Sequence, residues 1–241
     1  MPRQKRLVVP GIAQHVVQRG NNRHACFFKE SDYVLYLLHL RELSQKYYCA
    51  IHAYCLMTNH VHLLLTPGSP DGLSSLMRDL GQRYVQYVNR VHCRSGTLWE
   101  GRFRSCVAES ARYVMACHRY IELNPVRANM VRRPEEYQWS SHLANSVGED
   151  DRLVTPHPEF LALGNDKAAR SRAYCDLFSE PVESTLIDAI REATNGGYPL
   201  ASASFMSSDL LPPGRKMVRG RAGRRPDKNE SMNDDSLEIG L

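Results

Sequence analysis

The chain has 241 residues, a hydrophobic content of 42%, a charged content of 24% and a formal net charge of +5, the values of an ordinary globular protein. A chain this long buries enough surface to need no disulfide staples, and no apolar run approaches the roughly 18 residues that span a bilayer. Collagen-like, mucin-like, membrane-spanning and disulfide-knot classes are excluded, and an N-terminus without the long apolar core of a secretory signal sets the expectation of a cytoplasmic protein.

Residues 12–18 (IAQHVVQ) read as a first strand, ended by the Gly20-Asn21-Asn22 turn. Ser31 or Asp32 caps a helix to about Tyr47, with Tyr36, Leu40, Leu43 and Tyr47 on one stripe. CAIHAYCLM, the link Thr58-Asn59 and HVHLLLTP form a β-hairpin. Leu73, Leu76, Leu80, Tyr84 and Val88 then mark an amphipathic helix to about Val91. Residues 102–108 (RFRSCVA) are a further strand. Ser110 caps the next helix, which must end by Asn124 because Pro125 disfavours helical geometry in the residue before it. The order β-α-β-β-α-β-α points to an α+β domain with a mainly antiparallel sheet, assigned to residues 1–147. An acidic link at 148–152 leads to a helical extension over 153–200, with helices expected at 158–178 and 182–194. Residues 201–241 are expected to hold little fixed structure.

The charge is clustered. Residues 1–23 carry five basic side chains and no acid; residues 213–228 carry seven basic and one acidic; residues 229–241 carry four acids. A second basic run comprises Arg78, Arg83, Arg90, Arg94, Arg102 and Arg104. Such clustering fits a polyanionic partner, with a merely solvated surface as the other reading. The seven cysteines form no C-x-x-C pair and read as reduced, core-filling thiols.

His60-Val61-His62 is the first group with chemistry in it. Side chains alternate along a strand, so the two imidazoles share a face with Cα atoms about 6–7 Å apart, close enough to converge on one divalent ion. Val61, Leu63 and Leu65 then line the opposite face as core. The pattern is short, and two partly exposed histidines beside a turn produce it equally. His15, His39, His92 and His142 stand alone and read as surface or satisfied core residues. Tyr120 and Asn124 stand at i and i+4 on the later helix and share its face. A phenolate can attack phosphorus, and an amide carbonyl is a hard ligand suited to Mg²⁺ or Mn²⁺. Tyr113 lies seven residues earlier on that face but has Cys117 at i+4, and core packing is the ordinary role of any helix tyrosine. A metallohydrolase site of the H-x-H-x-D-H kind is disfavoured, because Leu64 stands at the Asp position.

LMTNHVHLLL resembles the His-hydrophobic-His motif of single-tyrosine HUH transposases, and RYIELNPVRANMV resembles their tyrosine helix. Residues 1–23, LWEGRFRS and EEYQWSSH are similar to bacterial members as well, above all to the REP-associated tyrosine transposases. The resemblance covers about residues 1–145. It implies a ferredoxin-like antiparallel sheet flanked by helices, with the histidines on a central strand. It further implies Tyr120 as nucleophile, and His60, His62 and Asn124 as ligands of a Mg²⁺ or Mn²⁺ ion. The implied reaction is attack on a phosphodiester of single-stranded DNA beside an imperfect palindromic hairpin, giving a 5′-phosphotyrosine and a free 3′-hydroxyl that can reverse the step. Relatives act as monomers or homodimers, and the implied location is the nucleoid. A hairpin-binding module without catalysis is the alternative, against which the intact His60, His62, Tyr120 and Asn124 argue.

Arg19 and Arg23 in the basic N-terminal arm, and Arg102, Phe103 and Arg104, are the expected DNA-facing residues, by cation contacts and base stacking. An amphipathic strand with Phe103 turned inward is the other reading of that segment. The 153–200 extension is expected to bind DNA too. Arg219, Arg221 and Arg224, in a run that resembles minor-groove arginine-glycine arms, read as a salt-sensitive DNA tether.

Overall fold

The computed structural model describes residues 6–212, 215 and 217; the rest of the tail expected over 201–241, with Arg219, Arg221 and Arg224, lies outside the described residues. Four strands, β1 (Gln14–Arg19), β2 (Cys49–Met57), β3 (His60–Pro67) and β4 (Arg104–Val107), form an antiparallel sheet in the order β2-β3-β1-β4. Helix α1 (Glu30–Lys46) joins β1 to β2, and α2 (Gly72–Val91) joins β3 to β4. This is the split β-α-β unit of a ferredoxin-like sheet, as the sequence leads one to expect. Thr58 and Asn59 make the two-residue link, which pairs Met57 with His60.

The alternation along β3 divides the core. Val61, Leu63 and Leu65, with Val16 of β1, meet Tyr36, Leu40 and Leu43 of α1 and Leu73, Leu76, Leu80, Tyr84 and Val88 of α2. Leu63 and Leu65 are fully buried, so truncating either to Ala costs about 2–5 kcal/mol. The opposite face packs Ala53, Cys55, Leu64 and Cys106 against α3 (Ala111–Glu122). A short turn of helix, α4 (Asn124–Arg127), follows α3 with Pro125 in its first turn. Ser110 caps α3 by accepting from the Tyr113 amide at 3.4 Å.

Some local details differ from expectation. Helix α1 starts at Glu30, and Asp32 lies in its first turn, where its carboxylate accepts from the Phe28 and Lys29 amides at 2.8 and 3.1 Å. The last strand is shorter than its apolar pattern suggested. The basic run also splits in space: Arg78 and Arg83 belong to α2, beyond the far face of the sheet, and pair with Asp79 and Glu42. Five of the seven cysteines are buried, while Cys93 and Cys175 are exposed.

Beyond residue 147 the chain runs back over the sheet. The Thr155 amide donates to the Ile51 carbonyl of edge strand β2, and the Leu200 amide to the Val107 carbonyl of edge strand β4, at 2.6 and 2.7 Å. Both edges are thereby covered. Four helices punctuate this return: α6 (Pro158–Leu161), α7 (Lys167–Asp176), α8 (Ser184–Gly196) and α9 (Ala203–Met206), after the short α5 (His142–Ser146). Three of them fall where two were expected, since 158–178 is broken between α6 and α7; α9 lies in the stretch from 201 expected to hold little fixed structure, where Phe205 and Leu211 are buried against Leu7, Val9 and Val107. Among the described residues no helix is long and apolar enough to cross a membrane.

The tyrosine helix is tied to this return by a buried carboxylate. Glu122, fully buried, accepts from Ser141 Oγ (2.7 Å), His142 Nδ1 (2.9 Å), Asn145 Nδ2 (2.8 Å) and Tyr174 Oη (2.8 Å). Burial alone would push its carboxyl up; the hydrogen bond and charge of His142, with His118 and Ser141, more than offset that and hold it below its usual range. Glu122→Ala should cost about 3–5 kcal/mol, read as a fall in the denaturation midpoint, because it strands those donors. Because the folded carboxyl is depressed, its contribution is complete above the unfolded value of about 4.3 and is lost as pH falls through the folded one. Glu122→Gln should therefore flatten the acid limb of a stability-versus-pH curve.

Candidate active site

Period-two alternation and the β1–β3 register place several polar side chains on the α3 face. Arg19 pairs with His60, Val17 with His62 and His15 with Leu64, so His15, Arg19, His60 and His62 all leave the sheet on the same side. The His60 and His62 ring centroids are 4.8 Å apart. His15 lies parallel to His62 at 5.2 Å, and Tyr120 from α3 sets its ring edge-on to both, at 5.5 Å from His15 and 5.6 Å from His62. Tyr120 is 6% exposed. Tyr113, the alternative on the same helix, packs at the margin of the second core.

The ring nitrogens have defined partners. His60 Nδ1 lies 2.6 Å from Asn59 Oδ1, and Asn59 Nδ2 donates to the Arg23 carbonyl at 3.0 Å. That second bond orients the amide, so His60 Nδ1 carries the proton and its Nε2 lone pair is free. His62 Nδ1 meets His15 Nε2 at 2.9 Å. Neither Nε2 of the pair makes a hydrogen bond among the described residues. Burial, then the Arg19 charge, lowers the His60 imidazole to about 4; burial, then Arg127, lowers His15 to about 3. His62 is driven well down by burial first, then by His60, His15, Arg127 and Arg19. The rings are thus neutral at ordinary pH.

Asn124 sits below Tyr120, but its amide is engaged. Its Nδ2 donates to the Tyr120 carbonyl at 3.1 Å, and its Oδ1 accepts from Arg127 Nη2 at 2.9 Å. An amide oxygen has two lone pairs, so one remains for a cation. Among the described residues no three His, Cys, Asp or Glu side chains could hold a metal together. The two imidazole Nε2 atoms and the Asn124 oxygen are donor types that a divalent ion such as Mn²⁺ accepts. Arg127, not singled out from sequence, also lies over the Tyr120 ring at 4.3 Å, and its Nη1 is buried without a hydrogen bond. Its spacing of seven from Tyr120 and three from Asn124 was the available signal.

Arg19, Arg102 and Arg104 line one cavity with Val17, Glu100, Gly101 and Asn195, next to the histidines. All three arginines are exposed, and Arg104 Nη1 donates to Asn195 Oδ1 at 2.6 Å. A second cavity continues along β4 past Arg102, Arg104 and Arg215. Arg23 is exposed on the turn after β1, and it is its backbone that serves the site, through Asn59. Phe103 does not join the exposed set: its ring is 8% exposed in the first core, beneath Arg6 at 3.8 Å. The inward reading of that strand is the one the structure bears out, and the stacking role expected for Phe103 is corrected accordingly.

Residues 8–124 match the model of a family described as IS200-like transposases. Nine chains of solved structure match. One, a REP-associated tyrosine transposase bound to a REP hairpin, is 17% identical over 65% of this chain and 93% of its own, with a TM-score of 0.54; at that identity the likeness is one of fold. Another, a candidate transposase from Deinococcus radiodurans R1, is 20% identical over 56% of this chain and 97% of its own, with a TM-score of 0.35. No curated protein sequence matches.

In metal-free protein, ring-carbon NMR should show His60 uncharged down to about pH 4, where a solvated histidine titrates near 6.5. A midpoint at the solvated value would contradict the buried site described above.

Proposed function

We propose that the chain, whose residues 8–124 match the IS200-like transposase model, is an enzyme of that kind that cleaves and rejoins single-stranded DNA beside imperfect palindromic hairpins. The observation that carries the proposal is the Tyr120 ring standing 5.6 Å from His62, over a pair of imidazoles whose Nε2 atoms have no protein partner among the described residues. The hairpin is taken from the fold relative, which is bound to one.

In this reading Tyr120 Oη bonds to phosphorus as the bond from phosphorus to the 3′ oxygen breaks. The phenol proton is lost to solvent and the leaving oxygen gains one, giving a 5′-phosphotyrosine and a 3′-hydroxyl. One diester replaces another, so the same hydroxyl, or one from a second end, can reverse the step without a nucleotide. A Mg²⁺ or Mn²⁺ ion held by His60, His62 and Asn124 would polarise the phosphate and offset the charge gathering on it. Arg127, through its unbonded Nη1, is placed to take a phosphate oxygen by a charge-assisted hydrogen bond. Arg19, Arg102 and Arg104 hold the flanking backbone.

Tyr120→Phe should abolish covalent capture of a hairpin-bearing oligonucleotide while leaving its binding largely intact; full-rate capture by that variant would move the nucleophile to Tyr113. Arg127→Met should slow capture by about 100-fold, the usual cost of one preorganised donor. Hairpin binding by the wild type with no Mg²⁺- or Mn²⁺-dependent nicking would instead mark a binding module. Replacing Arg102 and Arg104 by Gln should weaken binding and lower the salt slope of log affinity by about 0.7 for each phosphate that is no longer neutralised.

A further inference from the structure

The polar face of the sheet contains one group that the reaction above does not use. His15, fully buried on β1, lies between His62 and helix α8: its Nε2 is 2.9 Å from His62 Nδ1, and its Nδ1 is 2.9 Å from Thr194 Oγ1. Thr194 lies 70 residues beyond the end of the family match.

The direction of these bonds follows from counting protons. Thr194 Oγ1 is 2.7 Å from the Ile190 carbonyl oxygen, and two oxygens approach that closely only with a hydrogen between them. The hydroxyl proton is therefore spent on Ile190. Two lone pairs remain, and two groups point at them: His15 Nδ1 and, at 3.2 Å, Cys106 Sγ. With its proton spent, the hydroxyl can only accept, so both neighbours donate and the hydroxyl is saturated. His15 carries its proton on Nδ1 and accepts at Nε2. His62 must then donate from Nδ1, which leaves its Nε2 lone pair unprotonated.

We propose that Thr194 and His15 form a hydrogen-bond relay that fixes the tautomer of His62, so that α8 is a working part of the metal-ligating site. The proposal rests on the reading of His60 and His62 as metal ligands. Metal-ligating histidines usually donate their second N–H to an oxygen and lose affinity without that partner; here a second imidazole fills the role and takes its own orientation from Thr194. His60 is oriented independently, by Asn59. The relay thus matters to one ligand of the pair, and His15 and Thr194 are positioning residues.

The alternative moves every proton the other way, with Thr194 donating to His15 Nδ1, His15 Nε2 donating to His62, and His62 protonated on Nε2; it leaves the 2.7 Å approach of Thr194 to the Ile190 oxygen without a hydrogen. Long-range ¹H–¹⁵N correlation spectra of the metal-free full chain distinguish the two. Wild type should show His62 protonated on Nδ1 and His15 on Nδ1; His62 protonated on Nε2 would overturn the proposal.

Thr194→Val removes the acceptor at constant shape. It should give mixed tautomers at His15 and His62 and weaken Mn²⁺ binding, read from the EPR signal of the free ion, by about 10-fold. Thr194→Ser, which keeps the hydroxyl, should restore both. Thermal unfolding of each variant checks that the fold is retained. Wild-type tautomers and Mn²⁺ affinity in a folded Thr194→Val would equally overturn the relay. A wild type with His62 protonated on Nδ1 that binds no Mn²⁺ would sustain the relay and count against the metal reading instead.

Discussion

The pairing of β1 with β3 is the constraint on which the site depends. It sets Val16 opposite Leu63 and Val17 opposite His62, so one strand pair presents an apolar face to α1 and α2 and an imidazole-rich face to α3. A slip of one residue would exchange the faces. Leu63 and Leu65 would turn toward the tyrosine helix, and His62 would enter the larger core without His15. Each polar group buried without its partner costs about 1–3 kcal/mol. The apolar residues that stabilise the sheet are thus the same ones that select the register of the histidines.

The tyrosine helix is anchored on a different principle. Tyr120 stands two residues from Glu122, and the Glu122 carboxylate gathers donors from α5, from α7 and from the segment leading into α5. One charge buried deep in the protein is tolerable only when every lone pair is occupied, and that requirement draws three pieces of chain around the C-terminal end of α3. Tyr120 is consequently carried by a rigid element, while Arg127, seven residues later, is held by the Tyr120 carbonyl and Asn124. The network holds Tyr120 closely in position, and a misplacement of about 1 Å at a reacting group can cost 100-fold in rate.

The hairpin, the His-x-His pair and the tyrosine helix were legible because each depends on a period that a single segment displays: two for a strand, 3.6 for a helix. His15 was not legible. Its partner is 47 residues away, and its face becomes meaningful only once β1 is known to pair with β3. The arginine run misled for the same reason, since Arg78 and Arg104 are near in sequence but separated by the sheet. Phe103 was ambiguous because a basic residue stands on each side of it. The strand's alternation sends Arg102 and Arg104 to solvent and Phe103 into the core, under Arg6.

The same helix end serves two chemistries. Thr194 meets His15, and the next residue, Asn195, meets Arg104. Two glycines follow, and Gly197, in the left-handed conformation at φ +70°, terminates α8, a position where a side chain would be strained. Three residues on, Leu200 is stitched to β4 by bonds to Val107 and from Glu109. The helix terminus is therefore clamped against the sheet edge within six residues of the two polar contacts it makes. A shift of α8 along β4 would disturb the His15 and Arg104 contacts together, and both depend on one element that lies outside the matched residues 8–124.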